Sequence, residues 1–258
     1  MNVQYIFKRW LAEFKERGYW ARFGGPDKSN IDRSRYLRTI LKEKTVIQSI
    51  VWNSDRCVTD LCLLGLKYPT DKSPLTIDSW HRHSYTPVYS LLFSPLKNRE
   101  INLAEIGTLN GHGLQMFREF FPRATLRGFE CDTEMRQVCE NLGLEDTKIH
   151  FIDVRDEESI REAFDEAGLQ FDIIFDDSSH LIEDQLRIIR YVTPYLKPGG
   201  MMIIEDIFDD DRSPEHRFES VIEEFGDTYA FSSFIYPENR RSYVGDWNNE
   251  KLLLLIKS

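Results

Sequence analysis

FDIIFDDSSH, residues 171–180, is an apolar run that stops abruptly in acids, hydroxyls and an imidazole. Phe171, Ile173, Ile174 and Phe175 fit a short strand buried on both faces, and Asp176, Asp177, Ser178, Ser179 and His180 follow at its end. GMMIIEDI, residues 200–207, repeats the build, with an apolar strand ending in Glu205 and Asp206. If the two strands lie side by side and parallel, both acidic ends meet at one sheet edge. Ligands of open α/β sheets bind outside the carboxyl ends of the strands, so the chemistry is expected there.

Outward from these strands the pattern is regular. Strands are expected at 101–106, 125–130, 148–152, 171–176 and 200–207, alternating with helices at about 113–121, 133–141, 156–167, 181–196 and 214–225. This alternation implies a parallel sheet with helices on both faces, and right-handed crossovers make it a doubly wound α/β fold. Runs at 229–236 and 251–257 have no helix between them and form a terminal antiparallel strand pair. That ending departs from the simple dinucleotide-binding fold.

Upstream, Val3, Ile6, Phe7, Trp10, Leu11 and Phe14 recur at helical spacing over 3–17. A second helical pattern runs through Tyr36, Leu37, Ile40 and Leu41, and a third surrounds Cys57, Leu61 and Leu64. Residues 1–80 are therefore read as a helical N-terminal extension, a cap, an arm for homo-oligomerisation or a substrate-specificity lid, and 81–258 as the α/β domain. Between them, the polar, proline-broken loop at 68–79 leads into WHRHSYTPVYSLLF, residues 80–93. Thr86 and Pro87 there are expected to start a short helix over 88–93, and the surrounding histidines and aromatic residues are read as packing.

The 43 acidic against 33 basic residues give a net charge of -10, whose field disfavours nucleic acid and anionic membranes as partners. Charges throughout the first eighteen residues leave no apolar run for a signal peptide or a membrane span, so cytoplasmic residence is expected. Cys57, Cys62, Cys131 and Cys139 form no CxxC pair and are expected to be reduced.

AEIGTLNGHG, residues 104–113, turns from the first core strand into a helix. Leu109 and His112 stand where GxGxxG needs glycine, and the Gly-Lys of a phosphate-binding loop is missing, which disfavours a nicotinamide cofactor or a nucleotide triphosphate. Glu105 would repel a pyrophosphate but suits a cofactor with a cationic end, such as the ammonium and sulfonium of S-adenosylmethionine. Glu130, at the end of the second core strand, is placed to accept both ribose hydroxyls. Asp153, at the end of the third, either reaches the adenine edge or caps a helix, while Asp132 is the N-cap of the helix beginning near Thr133. Asp176, Asp177, Glu205 and Asp206 would repel one another unless a cation or protons compensated them, and oxygen ligands select a hard divalent ion, Mg²⁺ first. His180 is either a further ligand or the general base, and the base role is preferred.

Four blocks carry a resemblance that spans about 68–207: TDK at 70–72 with HSYTPVYSLLF at 83–93, the run 105–130, FDIIFDDSSH, and LKPGGMMIIEDI at 196–207. Together they resemble the metal-dependent sugar O-methyltransferases typified by macrocin and mycinamicin O-methyltransferases, which include proteins called cephalosporin hydroxylases. The resemblance implies a doubly wound class I methyltransferase (Rossmann-like) sheet. It also implies S-adenosylmethionine and Mg²⁺ as cofactors, and methyl transfer to a sugar hydroxyl of a glycoside, glycan or natural product. It places the metal on Asp177, Glu205 and Asp206 and the base on His180. Glu105 and Gly107 fall near the methionine end of the cofactor, Glu130 on the ribose and Asp153 near the adenine. The TDK and HSY blocks close over the site and bring Lys72 and Tyr85 to the cofactor. Ser178, Glu130 and Pro69 depart from the usual Gly, Asp and Gly of the family without removing a charge or a ligand. The rival readings are a catechol-type O-methyltransferase, a nicotinamide-dependent oxidoreductase, and a non-catalytic binding protein of the same fold. The glycine spacing argues against the second and the intact acids and His180 against the third.

Overall fold

The computed structural model describes residues 47–77 and 81–258. Its compact unit is Val46–Ser258, built on a single sheet. The strands are β1 (Gln48–Asn53), β2 (Asn102–Ile106), β3 (Thr125–Glu130), β4 (Thr147–Phe151), β5 (Phe171–Asp176), β6 (Leu196–Ile204), β7 (Tyr229–Glu238) and β8 (Leu252–Lys257). They lie in the order β1-β7-β8-β6-β5-β2-β3-β4. β2 pairs in parallel with β3 and β5, β3 with β4, and β5 with β6, while β8 lies antiparallel between β6 and β7. This is the expected doubly wound class I methyltransferase sheet with its terminal antiparallel pair.

The helices are α1 (Asp60–Lys67), α2 (Tyr85–Phe93), α3 (His112–Phe120), α4 (Thr133–Asn141), α5 (Glu157–Ala167), α6 (Ile182–Val192) and α7 (Glu215–Glu224). Asp132 caps α4 as expected, accepting from the amides of Glu134 and Met135. α2 begins three residues before the expected start. Its first amides are satisfied by the carbonyl of Lys72, which accepts from Tyr85 N at 3.1 Å and Thr86 N at 3.0 Å. Pro87 therefore falls inside the first turn, where a missing N–H costs no helical bond. The expected helix around Leu61 and Leu64 is α1, whereas the helical patterns at 3–17 and 36–41 lie outside the described residues.

The expected boundary at residue 81 is not where the sheet begins. β1 pairs in parallel with β7 from Gln48↔Ser233 to Asn53↔Glu238, and so belongs to the α/β unit. Its residues are mostly exposed, so no alternation of apolar and polar positions marks it as a strand.

β5 is buried on both faces, as its sequence requires. Ile174 joins Phe129, Phe164 and Leu186 in one core layer, and Ile173 and Phe175 join Tyr89, Phe93 and Phe117 in the other. Phe175 stacks on Phe117 with ring centroids 4.7 Å apart and meets the ring edges of Tyr89 and Phe93 at 5.2 and 5.6 Å. Truncating it empties the layer that seats α2 and α3 on the sheet. Phe175→Ala is expected to lower the free energy of unfolding by about 3–5 kcal/mol in urea titrations. A loss below about 1 kcal/mol would contradict this packing.

Candidate active site

The ends of β5 and β6 are locked to each other and to β2. Asp177 N donates to Ile106 O at 2.9 Å, and Glu205 N donates to Asp176 O at 2.9 Å. Asp176 is buried and accepts from Ser178 Oγ at 2.6 Å and Ser178 N at 3.3 Å, which folds the chain into the turn 176–180. Burial pushes its carboxyl up to about 6, against the opposing pull of Ser178 and His180. His180 and Asp206 both adopt left-handed backbone angles, with φ of 58° and 55°. Non-glycine residues visit this region at a cost and do so most at functional sites.

These turns bring together groups far apart in sequence. One oxygen each of Asp177 and Asp206 and one ring nitrogen of His180 lie within 4.8 Å of one another. His180 Nε2 is 3.7 Å from Asp206 Oδ2. Asp206 also accepts from Tyr85 Oη at 2.6 Å and lies 3.2 Å from His83 Nε2. His83 is 1% exposed, and its other ring nitrogen is 3.5 Å from Glu250. Burial disfavours its charge, but Asp206 and Glu250 outweigh burial and hold the imidazole well above the usual histidine range. Burial would likewise raise Asp206, yet His83, His180 and the Tyr85 hydroxyl hold it well below the ordinary carboxylate range. Of the acids in the cluster, Asp206 is the one whose neighbours favour the ionised form over the neutral one.

Glu205 is occupied on both oxygens. Oε1 accepts from Tyr89 Oη at 2.7 Å and Oε2 from Lys72 Nζ at 2.7 Å. The Lys72 ammonium also pairs with Asp177 and lies 3.8 Å from Glu105. Burial opposes its charge, and Asp177, Glu205 and Glu105 together overcome that and hold it well above the usual lysine range.

Beside the cluster opens a cavity of about 980 Å³, lined by the turn 105–113, Glu130, Asp153, Asp177, His180 and the loop 69–72. Gly107 has φ of 83°, and a Cβ there would run into the carbonyl of Asp177. A Cβ on Gly113 would strike the Glu105 carboxyl. Both glycines are therefore needed for β2, β5 and α3 to converge on the site. Glu130 accepts from Leu109 N at 2.8 Å and Asp132 N at 3.0 Å, so it shapes the glycine-rich turn as well as facing the cavity. Asp153 faces the same cavity but is chelated by Arg155, which lowers its carboxyl. It is not a helix cap, because Asp156 caps α5.

Of the residues singled out in the sequence, the structure brings Glu105, Gly107, Glu130, Asp153, Lys72, Asp177 and His180 to the cavity wall. Glu205 and Asp206 stand buried behind it. Two assignments change. Tyr85 is fully buried and off the cavity, and its hydroxyl is directed to Asp206 and to the carbonyl of Asn249, so it supports an acid rather than a cofactor. Lys72 reaches the cavity wall but directs its charge to carboxylates, not outward. The sequence pattern marks His83 and Tyr89 as packing residues and gives no signal at Glu250; they become partners of the acids and of one another only once α2 and the segment before β8 are placed against β6.

Glu105 is buried, Oε2 has no partner among the described residues, and burial pushes the carboxyl up to about 8, with Lys72 opposing. The folded protein then keeps this proton to higher pH than the unfolded chain does, so stability should fall as pH rises from about 4.5 to about 8. Each pKa unit is worth about 1.4 kcal/mol, so the change is on the order of several kcal/mol. Glu105→Gln, in metal-free protein, should make the fall of Tm over this range shallower. An unchanged slope would remove Glu105 from the linkage.

Residues 104–207 match the family described as "Methyltransferase domain". Over 161 residues the chain is 28% identical to 8-demethyl-8-alpha-L-rhamnosyl tetracenomycin-C 2'-O-methyltransferase of Streptomyces olivaceus, covering 59% of this chain and 39% of that protein. It is 27% identical over 158 residues to mycinamicin VI 2''-O-methyltransferase of Micromonospora griseorubida, covering 58% and 36%. Among solved structures, it is similar to the MycE methyltransferase of mycinamycin biosynthesis in complex with Mg, SAH and mycinamycin VI. That match has a TM-score of 0.60 at 20% identity and covers 78% of this chain and 55% of the other. The chain spans about two fifths of the length of the curated relatives it matches. The resemblance to sugar O-methyltransferases read from the sequence thus holds in the relatives, and the fold is the class I methyltransferase fold.

Proposed function

We propose that this chain is an S-adenosylmethionine-dependent O-methyltransferase that uses a hard divalent cation, Mg²⁺ first, and acts on a sugar hydroxyl of a small-molecule glycoside. The observation that carries this reading is the convergence of the buried Asp206 with Asp177 and His180, which stand at the wall of a cavity whose other side is the glycine-rich turn and Glu130. The donor set suits a hard cation, because the acids supply oxygen ligands and one of them is held ionised. Asp177 and Asp206 would hold it, with Glu205 as the third ligand. The orphaned Oε2 of Glu105 offers an acceptor to the ammonium donors of the methionine end of the cofactor, whose positive charge would draw the proton off this carboxyl, and the close backbone at Gly107 leaves room for it. When bound, the cofactor supplies the methyl group and the cation makes the acceptor hydroxyl more acidic.

The remaining work falls to side chains of this chain. His180 lies on the cavity wall, and its Nδ1 has no hydrogen-bond partner among the described residues. Its Nε2 stands 3.7 Å from Asp206 Oδ2, near enough for the carboxylate to offset the positive charge that the ring gains as it takes the hydroxyl proton. Tyr85 and His83 hold Asp206 in place for this task. Glu130, with its acceptor oxygens at the turn, meets the ribose, and Asp153 with Arg155 frames the adenine end of the cavity. The rhamnosyl group in the name of one relative supports a sugar acceptor. The net charge of -10 is in keeping with a small glycoside rather than a nucleic acid.

S-adenosylhomocysteine should bind in calorimetry, and Glu130→Ala should weaken it by about 1.5–3 kcal/mol, the scale of a hydrogen bond involving a charged group. Binding of NAD in its place would overturn the cofactor reading. In assays with aryl rhamnosides as acceptors, His180→Ala should lower turnover by about 10²–10⁴-fold while leaving S-adenosylhomocysteine affinity unchanged. Wild-type turnover in that variant would place the base elsewhere.

A further inference from the structure

Lys72 is a full-length cation buried among the acids that the reading above gives to a metal. It is 2% exposed, pairs with Asp177 and Glu205, and lies 3.8 Å from Glu105. Its backbone is fixed, because its carbonyl accepts the first two amides of α2. The loop carrying it is pinned at Thr76, whose hydroxyl donates to Thr70 O at 2.6 Å, and at Ser73, whose hydroxyl donates to Cys62 O at 2.9 Å. What can move is the side chain, a flexible four-carbon stem that stands at the wall of the cavity.

We propose that Lys72 is the resident counter-cation of the carboxylate cluster and must withdraw its ammonium before Asp177 and Glu205 can ligate a divalent ion. This rests on the metal-dependent reading above. Two arguments carry it. Glu205 accepts from Tyr89 on one oxygen and from Lys72 on the other, and Tyr89 is locked in the aromatic layer against Phe93 and Phe175, so a dication that approaches Glu205 Oε2 meets the Lys72 ammonium on the same oxygen. Secondly, an ammonium in contact with the same two carboxylates as a dication would place three positive charges at one point, in a site where low dielectric magnifies their repulsion. Without Lys72 or the ion, the acids would be buried uncompensated, so one cation must leave as the other arrives. Lys72 is thus a positioning residue. It holds Asp177 and Glu205 in ligand geometry in advance and sets how tightly the cation is held.

Two measurements test this on the full chain. Mg²⁺ titrated into Lys72→Met should bind at least tenfold tighter than into wild type, read by calorimetry or by the Mg²⁺-dependent rise in Tm. The wild type should show Lys72 protected from an amine-acylating reagent in chelator and labelled at least tenfold faster in saturating Mg²⁺, by peptide mass mapping. The labelling arm needs no variant and therefore stands if Lys72→Met fails to fold. Equal or weaker Mg²⁺ binding in the variant, or Lys72 labelling that Mg²⁺ leaves unchanged, overturns the exchange while the metal reading survives. Absence of Mg²⁺ binding to wild type and variant alike overturns the metal reading, and this inference with it.

Discussion

Carboxylates buried at one sheet edge have to be compensated, and much of this structure is organised around that requirement. Asp176, Glu205 and Asp206 are almost wholly buried where β5 and β6 end, with Asp177 between them and Glu105 facing them from β2. Isolated ions in such a place would cost far more than a domain's net stability. The chain meets the requirement in three ways: protonation at Glu105, hydrogen bonds from Ser178, Tyr85 and Tyr89, and two buried cations, Lys72 and His83. Both cations and both tyrosines come from the segment 72–89, so that segment is tied to the site by charge.

Compensation also divides the acids by role. Asp206, between His83, Tyr85 and His180, stays ionised. Burial beside Gly113 pushes the Glu105 carboxyl up to about 8. Groups of one chemical type are thus set to different protonation states by their neighbours, the arrangement that acid–base and metal chemistry require. The backbone serves the same end. The left-handed turns at His180 and Asp206 direct both side chains into one space, and Gly107 lets β2 approach Asp177 without a side chain between.

The sheet and the acidic ends were legible because their causes are local. The central residues of a strand buried on both faces must be apolar, as residues 173–175 of β5 and 201–204 of β6 are, and an acid directly after such a run lies at the carboxyl edge. Helix caps such as Asp132 were legible for the same reason. Three features were not. β1 is an exposed edge strand whose partner β7 lies 185 residues away, so neither alternation nor proximity marks it. The start of α2 depends on the carbonyl of Lys72 rather than on its own Thr86 and Pro87. Lys72, Tyr85 and Tyr89 each lie 105 or more residues from the acid they contact, and pairing at that range follows from topology alone.

The central claim is that these acids form a cation site facing a methyl donor. Crystals grown with Mn²⁺ and S-adenosylhomocysteine test it most directly. The account predicts an anomalous peak bonded to carboxylate oxygens of Asp177 and Asp206, with S-adenosylhomocysteine lying along Glu105, Gly107 and Glu130. Density that leaves both the cluster and the cavity empty, or places the ion away from Asp177 and Asp206, would contradict it.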